Sequence, residues 1–528
     1  MSNLATGTQG MVSSAHPLAT EAGLEILQHG GNAFDASVAV AAALNVVEPM
    51  MSGLGGYGTI LVYDAAQKKC RFLNSSDRIP RAVNSDLFRP PTIGYKANRR
   101  GAKAVSTPGN LRAWHSLSQT YGHLPWAVLF KPAINLAHRG FAINCHLAWF
   151  LQQDYAVFPT HAQEIYGANG RPYQAGEILV QHDLARTLAQ IADQGPSSFY
   201  RGTLGQQIVK SVSAAGGFLT QVDLDLCTAE WWEPISITYR DHQVYTASPP
   251  ATSFAALIRL GLMSQFDETS LGHNSPQSLH LFAEATKHAY HCRLDHAADP
   301  EIDAVPLEFL LSSDYWQKSA SELNKNQAEP FDSFAECAES SQYTTHFVVA
   351  DSASNIVSAT QTIGRTFGSR IMPPGTGIWL NNSLQYCTFE PKGGPMDAHA
   401  GRHKLSGDCP VIIFKNSVPW AALGTPGGHA ITQIVPQIII NLVDFGMDIA
   451  QAIAKPRISF AEPDQLLVDP ELEAGTKANL AARGHLVKDY DEGYWNAQGL
   501  TIDYDEAKRP VHFNGSADPR GEGLARGM

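Results

Sequence analysis

The sequence is poor in the features that announce many classes of protein chemistry. Its seven cysteines, Cys70, Cys145, Cys227, Cys292, Cys337, Cys387 and Cys409, are scattered, odd in number and never form a C-x-x-C pair. That spacing argues against a disulfide framework or a zinc ribbon and suits a reducing compartment. No apolar stretch reaches the length of a membrane span; the run Ile431–Val443 is interrupted by Gln433, Pro436 and Gln437. The first ten residues have no basic start and no apolar core of signal-peptide length, so a cytoplasmic location is the expectation. There is no basic run either, and the formal net charge is -12. Nucleic acid and anionic membranes are therefore poor candidates as partners. A G-x-S-x-G nucleophile elbow, internal repeats and low-complexity tracts are all missing.

What remains is the composition of an ordinary globular chain, 44% hydrophobic and 17% charged. Ala19–His29 has helical spacing and stops at Gly30-Gly31. The alanine- and valine-rich run Asp35–Val47 predicts a buried helix, Gly53–Gly58 a glycine-rich loop, and Thr59–Tyr63 a strand. Residues 105–290 read mostly as helix, broken at Pro108-Gly109, Gly122, Gly195-Pro196 and Pro249-Pro250. Ser321–Ser341 is polar and reads as an exposed, mobile segment. Short β-rich runs follow at once: Thr345–Ala350, Ile356–Thr362, Ile378–Leu380 and Val411–Phe414. The main internal boundary therefore falls at 341–344.

Two of those runs flank a five-residue polar turn and predict a hairpin. A turn centred on Ala353 pairs Val349 with Val357 and Thr344 with Thr362. Opposed residues have Cβ atoms roughly 4.5–5.5 Å apart, so two hydroxyls meet where the polar segment ends. A threonine so placed can attack the carbonyl of the residue before it, here Tyr343. The ester that results is open to water, and its hydrolysis leaves Thr344 as a new N-terminus. Its free α-amino group, with a pKa of about 7.7–8.0, can then serve as base for its own hydroxyl. The competing reading is that Thr-Thr is simply good strand composition. Gly424-Thr425-Pro426-Gly427-Gly428 precedes the apolar run Ala430–Val443. A glycine loop at a helix start can present N–H groups to an oxyanion, or can be no more than a tight turn.

Other patterns weigh less. Gly53-Leu54-Gly55-Gly56-Tyr57-Gly58 matches G-x-G-x-x-G, but the helix comes before it and the strand after, the reverse of a dinucleotide site. His288, His291, Cys292 and His296 stand at ligand spacing on a helix whose Leu281, Phe282, Ala285 and Ala289 suit plain packing. Asp77 and Asp408 read as solvated or structural, and Asp351 and Asn355 as turn residues. No cofactor and no metal are expected.

Set in order, these segments resemble the γ-glutamyltransferase family. Around the threonines the likeness is carried by Thr344-Thr345-His346-Phe347, Phe367-Gly368, Gly375-Thr376-Gly377-Ile378, Leu380-Asn381-Asn382 and Pro426-Gly427-Gly428. Towards the N-terminus it is carried by His16-Pro17-Leu18-Ala19, Gly30-Gly31-Asn32-Ala33, Val47-Glu48-Pro49 and Ser52-Gly53-Leu54-Gly55-Gly56. The resemblance covers about residues 10 to 500. It implies a four-layer αββα sandwich of the N-terminal-nucleophile hydrolases. It also implies a precursor cut between Tyr343 and Thr344, whose fragments 1–343 and 344–528 stay together as a heterodimer, with pairing of such units left open. By the same likeness Thr344 is the nucleophile, Thr362 its partner, and Gly427 and Gly428 the oxyanion donors.

The departures from that family fall on its amino-acid head-group contacts. Ser76 stands where the family has a carboxylate-binding arginine, Gly364 where it has an asparagine, Ser383 and Tyr386 where it has a glutamine or glutamate and an aspartate. Ser406-Gly407 replaces a serine pair. A site stripped of hydrogen-bonding partners rejects its former substrate strongly. The pattern looks closer to the divergent branch that includes oxamate amidohydrolase, which implies conversion of oxamate to oxalate and ammonia. Arg365 is the first candidate for the substrate carboxylate, Arg78 and His429 are weaker ones, and Tyr386 and Ser383 would line a smaller pocket. A γ-glutamyltransferase or glutathione hydrolase is the alternative. A member that never cleaves and serves as a binding protein is the second.

Overall fold

Caps and composition place the first helices. His16 accepts the Leu18 N–H and Pro17 fills the first turn of the helix Pro17–Gln28. Asn32 opens a capping box with Asp35. The helix that follows, Ala33–Val47, is buried at all 15 positions, as a run apolar on every face requires. The computed structural model describes residues 4–76, 78–331, 343–490 and 495–528.

Two seven-stranded sheets form the centre, every neighbouring pair antiparallel. The first runs Leu524–Gly527, Gly10–Ser14, Thr345–Asp351, Ile356–Thr362, Tyr57–Asp64, Lys69–Ser75, Glu230–Trp232. The second runs Ala5–Gly7, Pro510–Ala517, Gln498–Tyr504, Val418–Gly424, Val411–Lys415, His242–Thr246, Ile235–Tyr239. Between them lie Met11, Leu61, Phe72, Val348, Ile412, Leu500 and Phe513. Strand alternation sends Phe347, Val349 and Val357 the other way, into the core shared with Ala33–Val47. The outer face of the second sheet packs under the helices Phe254–Met263 and Ile431–Val443. The result is the αββα sandwich the resemblance implied. Among the described residues no helix is long and apolar enough to cross a membrane.

The hairpin has the register expected of a turn at Ala353: Thr345 pairs with Gln361, His346 with Thr360 and Val349 with Val357. Asp351 closes the turn, accepting the Ala353 and Asn355 N–H groups on one oxygen and the Asn355 side chain on the other. That second oxygen also accepts the Ala33 N–H, which ties the hairpin to the start of the buried helix. Ile378–Leu380 is not a strand. Gly375 and Gly377 turn the chain at positive φ, and the Leu380 N–H and C=O are taken by Ile371 and Ser369, leaving one bridge from Leu380 to Gly55. Of the polar stretch Ser321–Ser341, the first two residues end the helix Ser313–Glu322 and Phe331 is buried against Tyr290 and Phe460; residues 332–341 lie outside the described residues.

Arg457 locks the C-terminal segments together. Its guanidinium donates to the Ile453 and Trp495 carbonyls and pairs with Asp518 at 2.6 Å, both side chains fully buried. Replacing one partner strands a buried charge, at a cost of about 3–5 kcal/mol. Asp518→Ala is expected to lower unfolding stability by that amount in denaturant titration; a loss below about 1 kcal/mol would show that water reaches the arginine.

Candidate active site

The hairpin brings two hydroxyls to one carbonyl. Thr344 and Thr362 are both buried, and each donates its hydroxyl to the Tyr343 carbonyl oxygen at 2.8 Å. Thr362 in turn accepts the Gly364 N–H at 2.8 Å, so its proton is directed at that carbonyl. The Tyr343 ring meets Phe150 edge-on at 5.6 Å. Thr345 faces the opposite side of the sheet and donates to the buried Glu48 carboxyl at 2.8 Å. Burial, reinforced by Glu522, pushes the Glu48 pKa up to about 7 against the pull of the Thr345 hydrogen bond.

His346, two residues beyond Thr344, points between the sheets. Its Nδ1 meets the Thr360 hydroxyl at 2.9 Å, and burial holds its pKa down to about 3, so the ring is neutral. Gly424 of the second sheet lies flat against it: a Cβ there would stand 2.3 Å from Cε1. Leu423 lies over Ser358 and Gly424 over His346, so the chain is heading for the Thr344 end as it enters Thr425–Gly428. Gly427 and Gly428 take φ of 136° and 56°. Among the described residues, neither N–H donates to a backbone carbonyl.

A wall of aromatic and charged groups completes the site. Tyr57, paired with Thr362 across the first sheet, lies beside Tyr386. The buried Lys404 ammonium lies 3.5 Å from the Tyr57 ring centre and 5.0 Å from that of Tyr386. Tyr386 stands 6.4 Å from His429, which burial and Arg293 keep neutral, and feels the charges of Asp408 and Arg365. Arg365 is held by its Nε on the Gln385 side chain at 2.8 Å and its N–H on Asn382. Ser383 begins the short turn that ends at Tyr386. Gly364 has no alternative, because a Cβ would stand 2.1 Å from the Asn382 Oδ1.

Of the expected residues, Thr344, Thr362, Arg365, Tyr386 and His429 are brought together, with Ser383 in the turn behind them. Arg78 is not: Glu230 and Glu301 hold its guanidinium, so it has nothing to offer a substrate. Asp408 is buried rather than solvated, and Asp77 lies outside the described residues. Sequence reasoning gave no role to Glu48, Tyr57 or Lys404, although Glu48 and Tyr57 lie within motifs it had singled out. The glycines of Gly53–Gly58 serve packing: a Cβ at Gly55 would stand 2.0 Å from the Trp379 carbonyl oxygen and one at Gly56 2.2 Å from that of Thr362. His288 and Cys292 both bond the Tyr315 hydroxyl and His291 stacks on Phe331. Two other groups have ligand atoms within 4.8 Å of one another, His280-Glu284-His485 and Asp299-Glu301-His403. Lys287 neutralises the first at Glu284, and Arg78 and Arg402 the second at Glu301.

Comparison with known proteins gives a consistent picture. The model of a family described as gamma-glutamyltranspeptidase matches residues 19–528. The glutathione hydrolase proenzyme of Bacillus subtilis (strain 168) is 33% identical over 545 residues, covering 99% of this chain and 92% of that protein. The acylase ACY 1 proenzyme of Pseudomonas sp. (strain V22) is 35% identical over 498 residues, covering 92% and 88%. Cephalosporin acylase from Bacillus halodurans superimposes with a TM-score of 0.90 at 30% identity, covering 100% of this chain and 97% of that one.

The raised Glu48 pKa has a direct consequence for stability. The folded state holds this proton more tightly than the unfolded chain, so the contribution of Glu48 to stability is greatest below pH 4.5 and is lost as pH rises through 7. Glu48→Gln keeps the acceptor for Thr345 without the titration. Between pH 5 and 8 the wild type is expected to lose up to about 3 kcal/mol relative to the variant in chemical denaturation. Parallel pH profiles would mean that Glu48 titrates normally.

Proposed function

The chain belongs to the γ-glutamyltranspeptidase family, and from that premise we propose that it is a self-cleaving N-terminal-threonine amidohydrolase for a small amide bearing a carboxylate, oxamate being the best fit. The observation that carries this reading is the convergence of Thr344 and Thr362 on the Tyr343 carbonyl.

In the first stage the Thr344 Oγ attacks the Tyr343 carbonyl carbon while Thr362 donates to its oxygen. The peptide C–N bond breaks, the Oγ proton passes to the Thr344 nitrogen, an ester to Oγ forms, and water hydrolyses it to a Tyr343 carboxylate and a Thr344 with a free α-amine. In the second stage that amine takes the Oγ proton as Oγ attacks the substrate amide. The Gly427 and Gly428 N–H groups stabilise the oxyanion. The amine returns the proton to the leaving nitrogen, ammonia departs, and water releases the acid from the ester. No residue beyond the chain's own is needed. The two fragments, 1–343 and 344–528, remain one body because Thr345–Thr362 lies between Gly10–Ser14 and Tyr57–Asp64 in the first sheet.

The substrate argument rests on what the pocket offers. Gly364 adds no side chain, Tyr386 and Tyr57 close one side, and the Arg365 guanidinium is oriented by Gln385. A planar cation fixed near two catalytic hydroxyls suits a carboxylate one bond from the amide. The glutathione hydrolase relative supports a second reading, γ-glutamyl transfer, for which strong acceleration of γ-glutamyl anilide turnover by glycylglycine would be the signature.

Intact mass of freshly purified and aged protein is expected to give fragments beginning at Met1 and Thr344, both absent from Thr344→Ala. A wild type that stays whole would move a binding-protein role to the front. Arg365→Leu is expected to self-cleave normally yet lose roughly 10-fold or more in kcat/KM on oxamate; unchanged kinetics would remove Arg365 from the site.

A further inference from the structure

Directly after Thr362 the chain makes a tight loop, and a residue no motif pointed to grips it. Arg100 donates from Nη1 to the Thr366 and Gly368 carbonyls, both at 2.6 Å, and from Nη2 to the Thr366 hydroxyl. These bonds use three of the five N–H groups of its guanidinium. The same loop carries Arg365 at its start and Arg370 at its end. Arg370 is paired with Asp154, which lies one helical turn beyond Phe150 on the helix Cys145–Asp154. Phe150 is the ring that meets Tyr343. Arg100 is thus joined to the loop that begins at Arg365, and Arg370 is tied to the helix whose Phe150 ring meets Tyr343.

Charge in this corner is not balanced in the usual way. Burial, then the field of Arg370 and also that of Arg365, lower the Arg100 pKa to about 9. Asp154 acts in the opposite sense but is already bound to Arg370. The Tyr343 phenol is close enough to act on Arg100 as well. A half-buried cation whose charged form is disfavoured gains from an anion that reaches it. Neither Arg78, held by two glutamates, nor Lys404, seated on two tyrosine rings, matches this arrangement.

We propose that Arg100 joins Arg365 in an anion seat that receives the substrate carboxylate, and that in the uncleaved chain the Tyr343 side chain fills this seat. The proposal rests on the amidohydrolase reading above and names the residue that decides its specificity. Self-cleavage then does two things at once: it frees the Thr344 amine and lets Tyr343 vacate the seat. The substrate class is a short amide with an ionised carboxylate next to the scissile carbonyl, and its product is a dicarboxylate.

The experiment uses the full chain, with oxalate as a binding probe and two amides, anionic oxamate and neutral oxamide. Self-cleavage of each variant is checked by mass. Arg100→Gln is expected to weaken oxalate binding in titration calorimetry, and kcat/KM on oxamate, by roughly 10- to 100-fold, with Arg100→Lys in between. Turnover of oxamide should change far less, because the neutral amide has no charge to seat. Uncleaved Thr344→Ala should bind oxalate more weakly than the mature wild type. Equal losses on both amides would reduce Arg100 to a clamp on the loop and overturn the proposal, as would oxalate binding untouched by Arg100→Gln. Because oxalate binding needs no turnover, a protein that cleaves itself but ignores oxamate would sink the substrate reading while the seat could still be read from the calorimetry.

Discussion

The site depends on how closely the two sheets approach at one point. Gly424 lies against the His346 ring with no room for a single carbon, since a Cβ there would fall 2.3 Å from the imidazole. That contact sets the separation between the strand that carries Thr344 and the strand that delivers Gly427 and Gly428. The ring can serve as a spacer because it is neutral: burial keeps it unprotonated, and the Thr360 hydroxyl answers its Nδ1. A larger residue at 424 or a charged one at 346 would force the sheets apart, and interiors packed to crystal density do not yield gradually. Thr344 and the Gly427-Gly428 loop, the proposed nucleophile and oxyanion donors, are thus placed by a steric limit in the core.

Around that fixed point the charges are sorted by side. Beneath the hairpin, on the helix side, Thr345 donates to the buried Glu48 carboxyl, whose pKa burial raises to about 7. On the inter-sheet side the groups near Thr344 are neutral, His346 and His429 both held below their usual range by burial. The cations Arg100, Arg365 and Arg370 lie on or against the loop after Thr362, and Lys404 lies over the Tyr57 and Tyr386 rings. A nucleophile that relies on a neutral α-amine as base needs surroundings without a permanent neighbouring base or acid competing for its proton. An anionic substrate needs the opposite at its far end.

Much of this was readable before the fold was known, and the division has a physical cause. The hairpin register followed from the turn composition, because a two-residue period and a five-residue turn leave no other pairing. The buried helix Ala33–Val47 followed from its all-round apolarity. What could not be read were meetings between remote segments. Arg100 and Thr366 are separated by 266 positions, Glu48 and Thr345 by 297, and neither pair leaves a trace in local periodicity. The same blindness produced the errors. Arg78 looked available because its partners, Glu230 and Glu301, come from elsewhere, and Ile378–Leu380 looked like a strand because its apolar residues serve a bridge to Gly55 instead.

The topology also bears on what a cut at the proposed Tyr343–Thr344 bond would do to the fold. Each sheet contains strands from both sides of the Tyr343–Thr344 bond: Gly10–Ser14 and Tyr57–Asp64 flank the hairpin in the first, and His242–Thr246 adjoins Val411–Lys415 in the second. Breaking the bond releases only the local tether, while the ladders and the shared core between the sheets stay intact. The entropy gained by one free end is small beside the burial that holds the fragments together. The proposed cleavage would therefore change chemistry alone, turning a peptide nitrogen into an amine, and leave the fold in place.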